Sequence, residues 1–314
     1  MARTRDNIEN SPEALTQERL RRDNEYIIKN KRVRRQSRRR TLIIILLLFL
    51  LIFAVLAGAT YALMQFTEES TFRVTVSHTG TAWLSLSKDY EFSNPTSVLD
   101  VSAPKKMDNC TLCNYLDQKL LDMYSTKGSY KGDGSDVYYI ATSFYLKNTG
   151  NEPIYYREII TLDRAMKGME KAIRVMVIKD IDPPDDESYG KIRVYAAPKC
   201  DENGDTLYDE NKKPILEEVV PPSTDNPIQY KPREIESYKN FEFYDEDIRE
   251  DGVWMTKEFL GDGYVMNSTL YPLEIGAIVK YTIVIWLEGQ DAQCVDDILG
   301  GQVKLAVEFA TGKK

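Results

Sequence analysis

Two carboxylates near the C-terminus come closest to a catalytic motif. Glu288 and Asp291 follow an apolar stretch, and glycan hydrolases use two such groups as acid and as base or nucleophile. Both also have an ordinary structural role, because Glu288-Gly289 can form the turn that leaves a strand and Asp291 can cap a short helix. The single histidine, His78, excludes an H-E-x-x-H zinc site, and the sequence has no G-x-S-x-G elbow or phosphate-binding glycine loop. We therefore predict no catalytic residues and a protein that is not an enzyme.

The candidates for disulfides are the four cysteines, Cys110, Cys113, Cys200 and Cys294. Four cysteines allow three pairings. Cys110 and Cys113 also have the C-x-x-C spacing of redox and zinc sites, but a thioredoxin-like site needs a βαβ context. A zinc site would need all four thiols, and Cys200 and Cys294 lack the usual close spacing. We expect structural disulfides or inert thiols.

A polar segment contains part of a calcium-loop pattern. Positions 1, 3, 5 and 9 of the template are occupied by Asp201, Asn203, Asp205 and Asp209. Position 12, which should be a bidentate glutamate, is Lys212. The segments 201–208 and 209–216 also form an imperfect repeat, which a hairpin decorated with turn residues explains as well. Calcium is the one cofactor that the sequence offers.

An uncharged run at 41–65 directly follows a basic block. Its apolar part, 42–64, is long enough to cross a bilayer as a helix, which needs about 20 apolar residues. The block offers eight side chains to anionic lipid headgroups: Lys29, Lys31, Arg32, Arg34, Arg35, Arg38, Arg39 and Arg40. Since positive charge beside a span stays cytoplasmic, we predict a signal anchor with its N-terminus inside the cell and its C-terminal part outside.

Charge divides the chain at this run. Residues 1–40 hold 13 of the 41 Lys+Arg and 6 of the 49 Asp+Glu, a net +7, and 41–65 hold none. The remaining 28 basic and 43 acidic residues give 66–314 a net −15. An acidic exterior argues against nucleic-acid binding, because phosphate backbones require Lys and Arg. We predict a basic, partly helical cytoplasmic tail, a transmembrane helix at 41–65 and an extracellular domain.

The C-terminal end of the uncharged run could instead be a signal-peptidase cleavage site. Residues 57–62 are mostly small, so a signal peptidase could cut after Ala62. Cleaved signals normally have an apolar core of about 7–15 residues, which is much shorter than this one. Length therefore favours a retained anchor, with cleavage as the alternative.

Beyond residue 71 the apolar pattern changes to period two, which is typical of strands with one buried face. Strands are predicted at 72–76, 137–146, 154–162, 173–178, 192–196, 278–287 and 303–309. Short helices are predicted at 114–124 and 291–299. We expect a mainly β fold, an antiparallel β-sandwich with jelly-roll-like connectivity, and a polar insert at about 180–265. The chain has three tryptophans, Trp83, Trp254 and Trp286. They could form an aromatic platform for a ligand, but we expect them to pack in the core of the sandwich.

Three segments resemble exported surface proteins of Gram-positive bacteria. Residues 58–62 (GATYA) resemble the signal-sequence end of the TasA/camelysin group, and 144–150 (FYLKNTG) resemble a strand end of TasA-like sandwiches. The C-terminal pattern WLEGxDxxC…GG, within 286–301, is similar to the ending of surface proteins of clostridia and their relatives. The resemblance implies a β-sandwich and a surface or biofilm-matrix role, and it assigns no functional residue.

These observations favour a non-enzymatic, membrane-anchored bacterial cell-surface protein with a structural, adhesive or fibre-forming role. Its expected partners are the membrane, copies of itself or other surface proteins. The alternatives are a single-pass sensor or scaffold subunit of a membrane complex, and a hydrolase that acts on the cell wall.

Overall fold

The computed structural model describes most of the chain beyond residue 71. The described ranges are 72–77, 83–181, 190–220 and 241–312, without 102, 104–106, 113–115, 136 and 262. Residues 231 and 238 are also described and, nearer the N-terminus, 16, 19–29, 31, 43–53 and 55. The chain divides into two compact units, Met1–Glu68 and Glu69–Lys314.

In the first unit, the described residues 19–29 and 43–53 are helical and exposed. Within the described part of the chain, no helix is both long and apolar enough to cross a membrane. Much of the predicted span, including 56–65 and the cleavage position Ala62, lies outside the described residues. Of the predicted headgroup contacts, Lys29 and Lys31 are exposed. The others lie outside the described residues: Arg32, Arg34, Arg35, Arg38, Arg39 and Arg40.

The second unit is mainly β, as predicted, and contains two sheets. The six-stranded sheet has the order β11-β6-β14-β1-β3, and β12 also pairs with β6. Its strands are β1 (Phe72–Ser77), β3 (Val98–Val101), β6 (Ile154–Ala165), β11 (Tyr264–Asn267), β12 (Tyr271–Leu273) and β14 (Val303–Gly312).

The eight-stranded sheet has the order β10-β8-β7-β13-β5-β2, with β4 paired to β5 and β9 paired to β8. Its strands are β2 (Leu84–Ser87), β4 (Gly128–Ser129), β5 (Tyr139–Asn148), β7 (Ile173–Ile181), β8 (Lys191–Ala196), β9 (Glu242–Phe243), β10 (Lys257–Glu258) and β13 (Ile278–Leu287). Each of the seven strands predicted from sequence has an observed counterpart within a few residues.

The expectation of a purely antiparallel sandwich is wrong in one respect. β1 lies parallel to β14, with Val74 opposite Val307, and β8 is parallel to both β9 and β10. Both sheets are therefore mixed, and a fully antiparallel jelly-roll connectivity does not describe them. Parallel neighbours need long connections rather than hairpins, and β1 and β14 come from opposite ends of this unit.

The first core lies between the two sheets. Alternate side chains of β1 and β14 are buried against β5 and β13 of the other sheet. Aromatic rings join the layers: Phe309 lies 5.9 Å from Phe144 and 4.8 Å from Tyr281, measured between ring centroids. The period-two pattern in the sequence corresponds to this buried face.

A second core covers the opposite face of the eight-stranded sheet. It joins Met176, Val284 and Trp286 of the sheet to side chains from 110–124 and 219–254. β13 is consequently buried on both faces, which explains why its sequence is a continuous apolar run rather than an alternating one. The described parts of the region 180–265 supply β8, β9 and β10 and part of this cover, so they belong to the same unit.

One of the two predicted helices is confirmed over the residues that the structure describes. Within 114–124, a 3₁₀ turn at Asp117–Lys119 is followed by the α-helix Leu120–Ser125, and residues 114 and 115 lie outside the described residues. In place of 291–299, the structure has only the 3₁₀ turn Asp296–Ile298. A second α-helix, Met169–Ala172, spans four residues. Tertiary contacts override local helix propensity in segments this short.

Candidate functional site

We name residues 286–294 the acidic turn. It begins at the end of β13 with a buried contact between Trp286 and Glu288. Trp286 and Glu288 are 0% and 1% exposed. Trp286 Nε1 donates to Glu288 Oε2 at 2.9 Å, and Leu112 N donates to the same oxygen at 3.3 Å. Gln290 N donates to Oε1 at 3.3 Å. Because burying a carboxylate is costly unless it is hydrogen-bonded, these donors explain how Glu288 tolerates the interior.

Arg174 of β7 and Asp291 form an ion pair in the same turn. Arg174 Nη2 lies 2.5 Å from Asp291 Oδ2, and the two side chains are 0% and 2% exposed. The guanidinium also donates to the backbone oxygens of Lys171 and Ile173 at 3.3 Å. Asp291 Oδ1 accepts a hydrogen bond from Gln293 N at 2.7 Å. Asp291 therefore holds its own turn and neutralises a buried cation, rather than capping the helix that the sequence predicts.

Burial changes the acidity of carboxyl groups around this pair. Desolvation raises the pKa of Glu288, while the bond from Trp286 and the charge of Arg174 act to lower it. Desolvation also raises the pKa of Glu217, which the Arg174 charge opposes and the Asp291 charge reinforces. Glu288 and Asp291 are buried and bonded to the protein itself, so neither is presented to a substrate. Their arrangement favours a structural role over the acid pair of a hydrolase.

The described cysteines have buried or half-buried thiols. Cys110 is buried, Cys200 and Cys294 are intermediate, and all three are free thiols. Cys113 lies outside the described residues. Desolvation raises the pKa of each of the three. Because the thiolate is the nucleophile, a raised pKa lowers the reactivity of a thiol.

The calcium-template residues form two equivalent turns. Asp201 Oδ1 accepts hydrogen bonds from Asn203 N at 2.9 Å and Asp205 N at 2.8 Å. Asp209 Oδ1 accepts from Asn211 N and from Lys213 N, both at 2.8 Å. Two of the template's oxygens are thus directed at their own backbone. In the residues that the structure describes, no group of three or more His, Cys, Asp or Glu side chains is arranged to hold a metal ion.

The three tryptophans do not form a shared platform. Trp254 and Trp286 are 2% and 0% exposed and lie in the second core, and Trp254 packs edge-on against Phe243 with ring centroids 4.7 Å apart. Trp83 is 59% exposed. The expectation of core packing is confirmed for Trp254 and Trp286 and is wrong for Trp83.

A tyrosine cluster, made of Tyr156, Tyr271 and Tyr281 around Glu158 and Lys179, connects the two sheets. Lys179 Nζ on β7 lies 2.5 Å from Glu158 Oε1 on β6, and the side chains are 10% and 7% exposed. Tyr281 OH donates to the same Glu158 oxygen at 2.6 Å and lies 2.9 Å from Tyr156 OH. Lys179 Nζ also sits 3.6 Å from the centroid of the Tyr271 ring. Desolvation raises the pKa of all three tyrosines.

Lys280 is the second buried cation that sequence analysis missed. It lies on β13, is 7% exposed, and its Nζ is 3.5 Å from the centroid of the Tyr124 ring. Tyr124 OH donates to Asp180 Oδ2 at 2.5 Å. Desolvation lowers the pKa of Lys280 to about 8, and the Asp180 charge opposes the shift. The pKa of this amine thus lies well below the ordinary value of a lysine.

Asn148, in the segment that resembles a TasA-like strand end, organises the loop after β5. It is 1% exposed, and its Nδ2 donates to Glu152 O at 2.9 Å and to Leu273 O at 3.1 Å. Its Oδ1 accepts from Gly150 N at 2.9 Å. The asparagine therefore connects β5 of one sheet to β12 of the other. Its role in the segment 144–150 is to hold the end of β5 in place.

The sequence contained a weak signal for the buried charges. Lys179, Asp180 and Lys280 interrupt otherwise apolar strands, and charged residues are rarely buried without partners. Which partners they meet depends on strand register, because Lys280 lies opposite both Tyr145 and Asp180.

No model of a known protein family matches this chain, and no curated protein is similar enough to be matched with it.

Proposed function

We propose that this chain is a non-enzymatic, membrane-anchored protein of the bacterial cell surface, with a structural or adhesive role. The observation that carries the proposal is the described helix at 43–53. All of its side chains are Ile, Leu or Phe, and their exposures run from 48% at Ile52 to 72% at Phe53. A helix that is apolar on every side is suited to a lipid environment rather than to water.

Charge gives this anchor a direction. Residues 1–40 carry a net +7 and 66–314 carry a net −15. Cytoplasmic retention of the basic flank would place the β-rich unit outside the cell. Lys29 and Lys31, which are exposed, belong to the basic flank that anionic lipid headgroups would attract.

The β-rich unit also offers an edge for assembly with copies of itself or with other surface proteins. β3 is the last strand of the six-stranded sheet, and among the strands described its partner is β1. Val98 on this strand is 42% exposed. An edge strand with an exposed apolar residue and few charges is suited to strand addition.

The anchor is tested by the N-terminus and location of the mature chain. We expect an intact Met1 end in the membrane fraction, with the C-terminal unit digested when intact cells are treated with protease. An N-terminus at Leu63 in a released protein would replace the anchor by a cleaved signal. A C-terminal unit that resists protease until the cells are lysed would contradict the proposed orientation.

Assembly is tested by sedimentation of the full chain in detergent over a range of concentrations. We expect larger species at high concentration, and we expect Val98→Lys to reduce them because charge on an edge opposes strand pairing. The matched control is Leu207→Lys, since Leu207 is 39% exposed in the turn-rich hairpin. A chain that stays monomeric and binds no surface component would end the structural proposal. A purely structural surface protein should tolerate deletion of residues 1–28. If the deletion abolishes the function of the chain, the sensor or scaffold hypothesis is favoured instead.

A further inference from the structure

Trp83 is exposed on the outer face of the eight-stranded sheet, at the edge that β2 forms. Leu84 and Leu86 of β2 are 2% and 0% exposed and belong to the first core, so the alternate positions 83 and 85 face away from it. Trp83 itself is 59% exposed. Because single exposed apolar residues are common on protein surfaces, a binding role for Trp83 depends on the groups beside it.

A pair of hydroxyl groups lies next to Trp83. Its backbone oxygen accepts a hydrogen bond from Thr149 N at 3.0 Å, which aligns Trp83 with the end of β5. Ser85 Oγ and Thr149 Oγ1 lie 3.1 Å apart, and Thr149 Oγ1 is also 3.4 Å from Trp83 O. Each hydroxyl oxygen has two acceptor lone pairs. The pair therefore keeps acceptors for a ligand directly beside the indole ring.

Lys147 and Phe92 continue this surface along the two strands. Lys147 is opposite Ser85 in the register of β5 and β2 and is half-buried. Its Nζ lies 5.3 Å from the centroid of the Phe92 ring. A lysine ammonium has three donor protons and no acceptor. Lys147 thus adds donors to the acceptors of the hydroxyl pair.

The loop after β2 holds aromatic rings in place at a backbone cost. Phe92 has a φ of 54°, a left-handed conformation that is unusual for an aromatic residue. Asp89 fixes the turn, because its backbone oxygen accepts from Phe92 N at 3.3 Å and its Oδ1 accepts from Ser93 N at 2.9 Å. Tyr90, 38% exposed, packs edge-on against Tyr145 of β5 with ring centroids 5.9 Å apart. Strained residues of this kind are concentrated at functional sites, including those that hold ligands.

These groups form an elongated surface. Tyr145, which carries the Tyr90 ring, is opposite Ser87. Since a strand advances about 3.3 Å per residue, positions 83 and 87 are about 13 Å apart. We name the surface the aromatic strip, and it consists of Trp83, Ser85, Thr149, Lys147, Phe92 and Tyr90. Rings at both ends and polar groups between them suit a chain-like ligand.

Charge and hydrogen bonding decide which chain fits. The net −15 of residues 66–314 opposes a polyanion, and one lysine does not offset it. An apolar peptide segment would cover the hydroxyl pair and the ammonium without giving them partners, which is costly. A neutral glycan meets both conditions. Its sugar rings have C–H faces that pack on the electronegative face of an aromatic ring, and its hydroxyl groups both donate and accept.

We propose that the aromatic strip binds a neutral polysaccharide chain. One sugar ring packs on Trp83, and sugar hydroxyl groups bond to Ser85, Thr149 and Lys147. In the cell this rests on the proposed function, because it gives the adhesive role a glycan ligand and needs the β-rich unit outside the membrane.

Isothermal titration calorimetry of the full chain, in a detergent without a sugar headgroup, tests the site. The probes are neutral oligosaccharides of glucose, of N-acetylglucosamine and of mannose, with polygalacturonate as the acidic comparison. We expect saturable binding of at least one neutral probe and a loss of about tenfold in affinity in Trp83→Ala. The matched control is Tyr208→Ala, since Tyr208 is an aromatic residue that is 60% exposed elsewhere, and it should bind as the wild type does.

Phe92→Gly separates binding from folding. Glycine adopts a positive φ without strain, so this variant should unfold at a urea concentration no lower than the wild type. It should nevertheless bind the neutral probe more weakly, because a ring of the strip is missing. Ser85→Ala combined with Thr149→Val should also weaken binding, since it removes the hydroxyl acceptors.

Three results would overturn the glycan site. They are no saturable binding of any neutral probe, equal losses in Trp83→Ala and Tyr208→Ala, and binding of polygalacturonate alone. Protease treatment of intact cells separates this site from the proposed function. Glycan binding in detergent by a chain whose C-terminal unit is protected inside the cell would keep the site and contradict the surface role. A surface-exposed unit that binds no probe would leave the anchor and remove the site.

Discussion

Arg174 Nη2 and Asp291 Oδ2 lie 2.5 Å apart with both side chains almost fully buried. This ion pair joins β7 to the acidic turn beyond β13. Removing one partner leaves an uncompensated buried charge, which typically costs about 3–5 kcal/mol. We therefore expect Asp291→Ala to lower the free energy of unfolding by about that amount, measured by urea denaturation of the full chain in detergent.

Arg174→Met combined with Asp291→Leu provides the matched comparison, because an apolar pair of similar volume often replaces a buried ion pair at little cost. We expect the double variant to be clearly more stable than Asp291→Ala. Equal stability of Asp291→Ala and the wild type would show that the pair does not contribute.

We expect the hydroxyl group of Tyr281 to stabilise the fold through its hydrogen bonds in the tyrosine cluster. Tyr281→Phe removes the donor to Glu158 and the partner of Tyr156, and leaves buried polar groups less satisfied. The expected loss is about 1–3 kcal/mol in free energy of unfolding. Tyr264→Phe is the control, because Tyr264 is 40% exposed, and it should change stability little. If the two substitutions lowered the free energy of unfolding equally, the hydroxyl of Tyr281 would have no special stabilising role in the cluster.

Lys280 should make stability rise with pH in a definite window. Its pKa is about 8 in the fold and 10.5 as the ordinary value, so the unfolded chain binds more protons between these values. The cost of charging the buried amine is fully present below about pH 8 and has disappeared above about pH 10.5. We expect the wild type to gain about 2 kcal/mol relative to Lys280→Met between about pH 7 and about pH 9.5.

Urea denaturation of both proteins at the two pH values measures this difference. The buried tyrosines, whose pKa values are raised, oppose the trend only above about pH 10, where unfolded tyrosine ionises. They are also common to both proteins. A constant difference between wild type and variant across the window would show that Lys280 keeps an ordinary pKa.

The two Asp turns should depend on hydrogen bonding and not on calcium. Asp201→Asn keeps an acceptor oxygen for Asn203 N and Asp205 N, whereas Asp201→Ala removes it. We expect faster amide hydrogen exchange at 203 and 205 in the alanine variant only. Calcium addition should leave the exchange of the wild type unchanged. Protection of these amides by calcium, lost in Asp201→Asn, would restore the metal hypothesis.

Lys212 occupies the strained position of the second turn. Its φ is 62°, and the equivalent residue of the first turn is Gly204, with φ 82°. A side chain in the left-handed region costs about 1–2 kcal/mol, although glycine is also more flexible when unfolded. We expect Lys212→Gly to raise the unfolding free energy by up to about 1 kcal/mol. Gly204→Lys should lower it, because Gly204 has φ 82°, where a side chain is strained.

The repeat at 201–216 shows where sequence reasoning reached its limit. The same eight residues were compatible with calcium ligands and with hairpin turns, because Asp and Asn serve both purposes. The structure shows Asp201 and Asp209 accepting hydrogen bonds from the backbone of their own turns, and calcium binding stays a prediction. Lys212, which stands where the calcium template has a glutamate, has a positive φ and lies at the bend of its turn.

The sequence by itself determined where the strands of six or more residues form and which of their faces are apolar, because alternation along β14 and the continuous run of β13 are local patterns. It also determined the division of charge between the two ends of the chain. Only the tertiary structure decided that β1 runs parallel to β14 and that Arg174 meets Asp291. Strand order, register and buried ion pairs depend on contacts between residues far apart in the chain, and no local periodicity specifies them.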